Sequence, residues 1–235
     1  MKAVILAGGK GTRLAPYTTI LPKPLMPVGD LPILEIVICQ LRSAGITEIT
    51  LSVGYLGSLL EAYFGDGSRW GVAISYSRED HPLGTAGPLA LVSQLTNTFL
   101  VMNGDILTTL DYAALARFHR EHEALATVAL FKKPVKIDLG IIKRNGENCV
   151  IDYIEKPTLE YEVSTGIYVM ELGVLDFITS GEQLDLPDLI KRLIEKQQKV
   201  LGYNFEGQWL DIGRPEDHAR AVEQFVSGRS SFLRA

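Results

Sequence analysis

The residues best suited to chemistry lie near the N-terminus, where glycines and basic side chains follow an apolar run. Residues 3–7 are apolar and partly β-branched, which is typical of a buried parallel strand. The run ends at a glycine-rich segment, residues 8–11, whose backbone N–H groups no side chain shields, so they can hold phosphate oxygens. Arg13 and Lys23 bring two cations to the same edge. Together these features predict a binding site for a nucleoside triphosphate.

Three better-known glycine loops do not match this segment. The dinucleotide-binding pattern GxGxxG needs a glycine where Leu14 stands, and the kinase glycine-rich loop needs the same spacing. The Walker pattern fails because Gly9-Lys10 is followed by Gly11 instead of serine or threonine. A dehydrogenase is therefore disfavoured.

Two aspartates are candidate metal ligands. Asp105 closely follows a predicted buried strand at residues 99–102, at the carboxyl edge where open α/β sheets bind ligands. Asp211 lies in the segment Trp209–Gly213 and is the second candidate. Mg²⁺ prefers one or two carboxylates together with substrate phosphates and water, so the pair predicts a magnesium site. Taken singly, either aspartate could instead cap a turn or a helix.

Strand and helix signals alternate along the first half of the chain, which predicts a mostly parallel sheet covered by helices on both faces. We expect an α/β protein with a Rossmann-like sheet. After Lys132 short strands and several glycines and prolines indicate a small inserted β-rich lobe. The predicted strands are 3–7, 46–53, 72–76, 99–102, 126–131, 139–143, 150–155 and 166–170, and the predicted helices are 32–45, 56–64, 86–95, 111–122, 174–179, 187–197 and 215–225.

Composition limits the function classes. The 235 residues are 46% hydrophobic and 22% charged, which is ordinary for a soluble globular protein. The net charge of -5 argues against general binding of nucleic acid. Cys39 and Cys149 lack metal-type spacing, and we expect buried free thiols instead of a disulfide. Without a signal-peptide pattern or an apolar run of about 18 residues, a cytoplasmic protein with no membrane contact is expected. Apolar surface on the predicted helical segments favours a homo-oligomer, either a dimer or a tetramer.

The pattern GGxGTRLxPxTxxxPKPLxPV at residues 8–28 resembles the opening signature of the sugar-1-phosphate nucleotidylyltransferases. The resemblance implies that a sugar 1-phosphate attacks the α-phosphorus of a nucleoside triphosphate, with Mg²⁺ as cofactor and pyrophosphate as leaving group. One nucleotidyltransferase domain is expected over residues 1–235, with no room after the last predicted helix for the carboxy-terminal β-helix that some relatives carry. Residues 1–131 would form the nucleotide-binding core, residues 132–171 the sugar-binding lobe, and residues 172–235 a helical completion that carries the second metal aspartate.

The resemblance also assigns roles to individual residues. Arg13 would bind the β- and γ-phosphates, and Lys23 would neutralise charge near the α-phosphate. The residues expected to bind the nucleotide are Leu6, Ala7, Gly8, Gly9, Gly11, Thr12, Glu79, Pro82, Gly84, Thr85 and Ala86. Those expected at the sugar phosphate are Asn103, Gly104, Gly140, Glu155, Lys156, Thr165 and Gly166. Lys10 receives no role.

The base and the sugar are predicted from residues 79–87. The carboxylate of Glu79 can accept two hydrogen bonds from the N1–H and N2–H₂ edge of guanine, which favours GTP. The segment PLGTAG at residues 82–87 resembles GDP-mannose pyrophosphorylases and related heptose enzymes, which favours mannose or manno-heptose 1-phosphate. Glutamate can also accept from the N3–H of uracil, so UTP or dTTP with a glucose or amino-sugar 1-phosphate stays an alternative. The second alternative is a non-catalytic regulatory subunit that binds NDP-sugars.

Overall fold

A computed structural model describes residues 1–233 of the chain. Its helices are α1 (Ile33–Ser43), α2 (Gly57–Phe64), α3 (Tyr112–Glu121), α4 (Leu186–Glu195) and α5 (Pro215–Phe232). Its strands are β1 (Lys2–Leu6), β2 (Pro27–Val28), β3 (Leu31–Pro32), β4 (Glu48–Val53), β5 (Ala73–Arg78), β6 (Thr98–Asn103), β7 (Ile106–Thr108), β8 (Ala126–Lys136), β9 (Ile141–Arg144), β10 (Val150–Ile154), β11 (Thr158–Glu171), β12 (Val200–Asn204) and β13 (Trp209–Asp211).

Seven strands form one mixed sheet in the order β12-β8-β11-β6-β1-β4-β5. The neighbours of β1 and β4 are parallel, and β12 is parallel to β8, whereas β11 runs antiparallel to both of its neighbours. The last residues of β1 and β6, Leu6 and Asn103, lie opposite each other. The loops that follow these strands therefore start side by side. The mostly parallel sheet expected from the sequence is confirmed.

Helices cover both faces of this sheet, as expected. One core contains Leu34 of α1, Leu60 of α2 and Leu115 of α3. The core on the other face contains Leu189 and Leu193 of α4.

A third, smaller core packs α5 against the N-terminal segment. Phe225 and Phe232 of α5 are buried there with Leu14 and Ile212. This core ties the residues after the glycine-rich loop to the segment that carries Asp211. The last helix thus supports the predicted site although it carries none of the predicted site residues.

One predicted helix start is confirmed, and two predicted α-helices are short 3-10 helices instead. Asp111 caps α3 by accepting the Ala114 N–H at 2.9 Å, as the sequence predicts. The predicted helix over 86–95 is wrong, because the structure contains only a 3-10 helix at Gly87–Leu91. Gln94 adopts a left-handed φ of 56°, which an α-helix cannot accommodate. The helix predicted at 174–179 is likewise a 3-10 helix, Leu172–Phe177.

The β-rich lobe grows out of the main sheet. Strands β8 and β11 pair from Ala126 with Met170 out to Lys136 with Thr158, well beyond the neighbouring strands. The hairpin of β9 and β10 lies in the connection between them. The predicted boundary at residue 131 therefore falls inside a continuous strand, because β8 keeps its pairing with β11 through that point.

Two further sequence expectations concern the chain as a whole. Both cysteines are free thiols, as predicted, but the expected burial is wrong, because Cys39 is only partly buried and Cys149 is exposed. Within residues 1–233, every helix is too short or too polar to cross a membrane.

Candidate active site

The loops after β1 and β6 meet at one edge of the sheet and open into a cleft of about 790 Å³. The N–H of Gly104 donates to the carbonyl of Leu6 at 2.9 Å, and the N–H of Ala7 donates to the carbonyl of Ser52 at 2.8 Å. The predicted site residues that line the cleft are Leu6, Ala7, Gly8, Gly9, Gly11, Thr12, Arg13, Lys23, Glu79, Pro82, Gly84, Thr85, Asn103, Gly104 and Asp105. The structure therefore brings most of the predicted nucleotide-binding residues together.

The three glycines of the loop differ in what surrounds them. Gly11 has a φ of 62°, and a Cβ there would lie 3.0 Å from Thr18, whose hydroxyl donates to the Gly11 carbonyl at 2.8 Å. A Cβ on Gly8 would lie 2.8 Å from the Glu79 carboxylate. A Cβ on Gly9 would meet nothing within 4 Å. The two ends of the loop, at Gly8 and Gly11, are therefore closely packed, whereas the space above Gly9 is open to a ligand.

Lys23 and Asp105 form the central ion pair of the cleft. The Lys23 ammonium donates to Oδ2 of Asp105, and their side chains are only 12% and 22% exposed. The other oxygen, Oδ1, is buried and is the one such side-chain atom in the described chain without a hydrogen-bond partner. A buried acceptor without a donor is costly, so this oxygen is suited to a ligand that supplies positive charge.

The segment that carries Asp211 lies against the Asp105 segment. Strand β13 pairs with β7, which places Asp211 opposite Ile106, and the Ile212 N–H donates to the Asp105 carbonyl at 3.2 Å. Burial of its carboxyl group raises the pKa of Asp211, and the negative charge of Asp105 raises that pKa further, although the residue as a whole is exposed. Lys23 and Arg13 act on the pKa of the Asp211 carboxyl in the opposite direction.

Arg13 completes this group of charges. A Cβ on Gly213 would lie 3.4 Å from Nη1 of Arg13, so the guanidinium packs closely on the backbone just after Asp211. The structure therefore gathers the two predicted cations and the two predicted metal ligands into one cluster.

This cluster fits a hard divalent cation. Asp105 offers an unpartnered carboxylate oxygen, and the mutual repulsion of the two carboxylates is the kind that a cation relieves. Over residues 1–233 no group of three or more His, Cys, Asp and Glu side chains is arranged to hold a metal. Two carboxylates are sufficient for Mg²⁺ when substrate phosphates and water supply the other ligands.

Glu79 has a structural contact as well as a position in the cleft. Its Oε2 accepts the Leu83 N–H at 3.0 Å, and its Oε1 lies beside the backbone of Gly8 and Gly54. The carboxylate thereby joins the glycine-rich loop, residues 8–11, to the predicted base-binding loop, residues 82–87. The latter also contains Ala86, which is fully buried and does not line the cleft.

The predicted sugar-side residues fall into two groups, and the first lies beside the cleft. Gly166 has a φ of 75°, and a Cβ there would be 2.7 Å from the Asn103 amide. Thr165 is buried, and its hydroxyl donates to the Ala129 carbonyl at 2.8 Å. The indole N–H of Trp209 donates to the Thr165 carbonyl at 3.0 Å. Thr165 and Gly166 are thus held between the Asn103 segment and the Asp211 segment.

The second group lies on the hairpin of the lobe and outside the cleft lining. Glu155 accepts a hydrogen bond from the Tyr153 hydroxyl at 3.0 Å, and its other oxygen is 3.8 Å from the Lys156 ammonium. A Cβ on Gly140 would be 2.4 Å from the same hydroxyl. These three predicted residues therefore lie together, but on a surface where the side chains of Glu155 and Lys156 are 59% and 58% exposed.

Several cleft residues were not predicted from the sequence. They are Lys10, Pro24, Ser52, Gly54, Tyr55, Asp80, His81 and Pro88. Lys10, Asp80 and His81 adjoin predicted residues, so sequence adjacency could have indicated them. Ser52, Gly54 and Tyr55 lie at and just after the end of β4, and only the parallel pairing of β4 with β1 brings them to the cleft.

The fold agrees with comparisons to known proteins. A family model described as nucleotidyl transferase matches residues 2–227, and the chain belongs to this family. It is 37% identical to a mannose-1-phosphate guanylyltransferase of Mycobacterium tuberculosis over 96% of this chain, and 35% identical to a UTP–glucose-1-phosphate uridylyltransferase of Synechocystis over 97%. The chain spans 65% and 64% of the length of these two relatives.

Solved structures give the same result for the fold. A Bacillus anthracis protein assigned as a glucose-1-phosphate thymidylyltransferase superposes with a TM-score of 0.76 at 26% identity, covering 95% of this chain and 94% of that chain. HddC of Yersinia pseudotuberculosis has a TM-score of 0.72 at 23% identity and covers 95% of this chain and 99% of its own. The sequence-based resemblance to nucleotidylyltransferases is confirmed.

Proposed function

We propose that this chain transfers a nucleotidyl group from a nucleoside triphosphate to a sugar 1-phosphate and releases pyrophosphate. The observation that carries the proposal is the Lys23–Asp105 ion pair, with its unpartnered carboxylate oxygen, beside Asp211 and Arg13 at the mouth of the glycine-rich loop. Such transfer needs positioning and neutralisation of charge more than a protein nucleophile. The cluster supplies both, and three of its members, Arg13, Lys23 and Asp105, line the same cleft as Gly9.

Each residue has a proposed part in the reaction. The backbone of residues 8–11 holds phosphate oxygens, and the planar guanidinium of Arg13 binds the β- and γ-phosphates and the departing pyrophosphate. Lys23 leaves Asp105 and contacts the α-phosphate. Its positive charge there offsets the negative charge that develops as the sugar phosphate oxygen attacks. Asp105 and Asp211 are the proposed ligands of Mg²⁺, which when bound neutralises phosphate charge and helps to align the reacting oxygens.

We further propose GTP and mannose or manno-heptose 1-phosphate as substrates. The mannose-1-phosphate guanylyltransferase relatives support this choice, as does the Glu79 carboxylate in the cleft. Because Oε2 of Glu79 already accepts the Leu83 N–H, the proposed reading of guanine depends on Oε1 and the remaining capacity of Oε2. The uridylyltransferase relative supports the alternative, which is uridylyl transfer to glucose 1-phosphate.

Pyrophosphate release tests the reaction and both substrates at once. Purified protein with Mg²⁺ is assayed with GTP, UTP, dTTP, CTP and ATP, each against mannose, glucose and heptose 1-phosphates. GTP with a manno-configured sugar phosphate should give the highest kcat/KM, and UTP with glucose 1-phosphate would support the alternative. A folded protein that binds an NDP-sugar but releases no pyrophosphate in any combination would contradict the catalytic proposal and indicate the regulatory subunit.

A further inference from the structure

The predicted base-binding loop, residues 82–87, is bound to a segment almost one hundred residues further along the chain. The Leu184 N–H donates to the Leu83 carbonyl at 2.9 Å, and the Leu184 carbonyl accepts the N–H groups of Ala86 and Gly87 at 2.8 and 3.1 Å. Leu83, Ala86 and Leu184 are buried. The loop therefore owes its position to residues just before α4.

Asp185 and Thr85 form a reciprocal contact within this junction. Oδ1 of Asp185 accepts the Thr85 N–H at 3.0 Å and the Thr85 hydroxyl at 3.2 Å. The same hydroxyl oxygen accepts the N–H of Leu186, the first residue of α4, at 2.7 Å. Asp185 is the N-cap residue of α4, yet its side chain makes no capping bond to its own helix. Its carboxylate is used on the loop, while Thr85 caps the helix in its place.

Close packing leaves this junction little freedom. Gly84 has a φ of 77°, and a Cβ there would lie 2.5 Å from the Leu184 carbonyl oxygen and 2.8 Å from Oδ1 of Asp185. A Cβ on Gly87 would lie 2.4 Å from the carbonyl oxygen of Glu182. Backbone is thus pressed against backbone, and a shift of Asp185 would be transmitted to Gly84 and Thr85, which both line the cleft.

We propose that Asp185 is a positioning residue for base selection, acting through Thr85 and Gly84 without touching the nucleotide. This inference rests on the proposed nucleotidyl transfer. The residue lies outside the cleft lining, and its carboxylate is the acceptor for both donors of Thr85. Removing the carboxylate loosens the wall against which the base lies. It leaves the cations and carboxylates that act on the phosphates in place.

The inference predicts a specific kinetic signature for Asp185→Ala. The KM for the preferred nucleoside triphosphate should rise about tenfold, because two hydrogen bonds to a charged acceptor are lost. The preference for that nucleotide over the next best, measured as a ratio of kcat/KM, should fall about threefold or more. At saturating nucleotide kcat should change by less than about twofold. Asp185→Asn, which keeps an acceptor oxygen, should restore most of the affinity.

Controls separate positioning from a general loss of stability. Asp188→Ala removes a carboxylate of the same helix that pairs with Lys191 on the surface, and it should leave every parameter unchanged. In a Thr85→Val background, which keeps the backbone N–H but lacks the hydroxyl, Asp185→Ala should add less than it does alone, since one of its two hydrogen bonds to residue 85 is already lost.

The possible outcomes are distinguishable. If the wild type turns over and Asp185→Ala keeps the wild-type KM and base preference, this inference is overturned while the proposed function stands. A variant that only lowers the thermal midpoint overturns the inference in the same way. A wild type without turnover on any nucleotide and sugar pair overturns both.

Discussion

The cleft and the lobe hairpin, the two proposed binding surfaces, are built in different ways. In the cleft, charged side chains from distant segments are locked together, and Lys23 and Asp105 are 12% and 22% exposed. On the hairpin, Glu155 and Lys156 come from adjacent positions and are more than half exposed. The first surface is preorganised by long-range contacts, which suits the stabilisation of developing charge. The second has few contacts to hold it, which suits recognition of hydroxyl groups by adaptable side chains.

This contrast follows from how the strands are used. The cleft lies where β1, β4 and β6 end, so three parallel strands fix its floor. The hairpin of β9 and β10 is a two-stranded sheet at the end of the long β8–β11 pair. Substitutions in the cleft should therefore affect chemistry strongly, and those on the hairpin should affect mainly affinity for the sugar phosphate.

The largest effect is expected from Asp105→Asn. The change removes the charge that partners Lys23 and the proposed metal ligand, so kcat for pyrophosphate release should fall by about 100- to 1,000-fold. The fold should stay intact, since Asn still offers Lys23 an acceptor oxygen, but the thermal midpoint should fall because the charge that pairs with Lys23 is lost. Asp188→Asn is the matched surface control. A variant rate near the wild-type value would exclude Asp105 from the chemistry.

A second prediction compares two neighbouring glycines of the cleft. Gly9→Ala should fold normally, because a Cβ there meets nothing within 4 Å, but it should weaken nucleotide binding roughly tenfold by filling the ligand space. Gly8→Ala should lower the thermal midpoint, because its Cβ would be 2.8 Å from the Glu79 carboxylate. Calorimetric titration with the triphosphate and thermal unfolding measure the two effects. If both variants had the same nucleotide affinity and the same thermal midpoint, the result would argue against an open ligand space above Gly9.

A substitution on the hairpin should affect the affinity for the sugar 1-phosphate more than it affects kcat. Glu155→Gln is expected to raise the KM for the sugar 1-phosphate several-fold, up to about tenfold, because one charged hydrogen-bond acceptor is weakened. The KM for the nucleotide should not change, and stability should stay within about 0.5 kcal/mol because the side chain is exposed. Glu147→Gln, in the turn of the same hairpin, is the control. A large loss of kcat instead would place Glu155 in the chemistry.

The smallest effect concerns a buried histidine that belongs to neither surface. His119 contacts Thr127 at 2.8 Å and Glu171 at 3.1 Å, and burial lowers its pKa from the usual 6.5 while Glu171 opposes the shift. Below pH 6.5 the imidazole of residue 119 binds a proton in the unfolded chain, whereas in the folded protein it stays neutral to a lower pH. Its contribution to stability is therefore complete above that pH and declines as pH falls, by at most about 1.4 kcal/mol per pH unit.

Denaturant unfolding at pH 7.5 and 5.5 measures this contribution. The loss of unfolding free energy between the two pH values should be smaller in His119→Gln than in the wild type. Replacing the exposed His122 by Gln serves as the control. An identical pH dependence in wild type and His119→Gln would show that the buried imidazole is not responsible.

The sequence predicted the parts of the site that local pattern determines. The strand, glycines and cations of residues 3–23 lie in one stretch, so their types and spacing alone indicated a phosphate site. Asp105 could be placed because a buried strand directly precedes its turn. The proximity of Asp211 came from the family resemblance, since the β7–β13 pairing joins segments that are far apart in sequence.

Other features could not be predicted because they depend on contacts between distant segments. Nothing in residues 82–87 indicates that Asp185 holds Thr85, or that Glu79 would accept the Leu83 N–H. The apolar residues of 86–95 suggested a helix, but Ala86, Leu89 and Val92 are buried in the core that also contains Leu184, without forming an α-helix. The boundary that the change in composition suggested at residue 131 lies within β8, because the pairing of β8 with β11 continues past that point.

The contact between Trp209 and Thr165 has an optical consequence. The chain contains two tryptophans, and Trp70 packs among Tyr63 and Phe64 in the core beneath α2. Trp209, two residues before Asp211, is only partly buried, lies 5.7 Å from the Phe131 ring between centroids, and donates to the Thr165 carbonyl. In a Trp70→Phe background, the emission of Trp209 reports on the contact between the Asp211 segment and the Thr165 segment. No attached dye is needed.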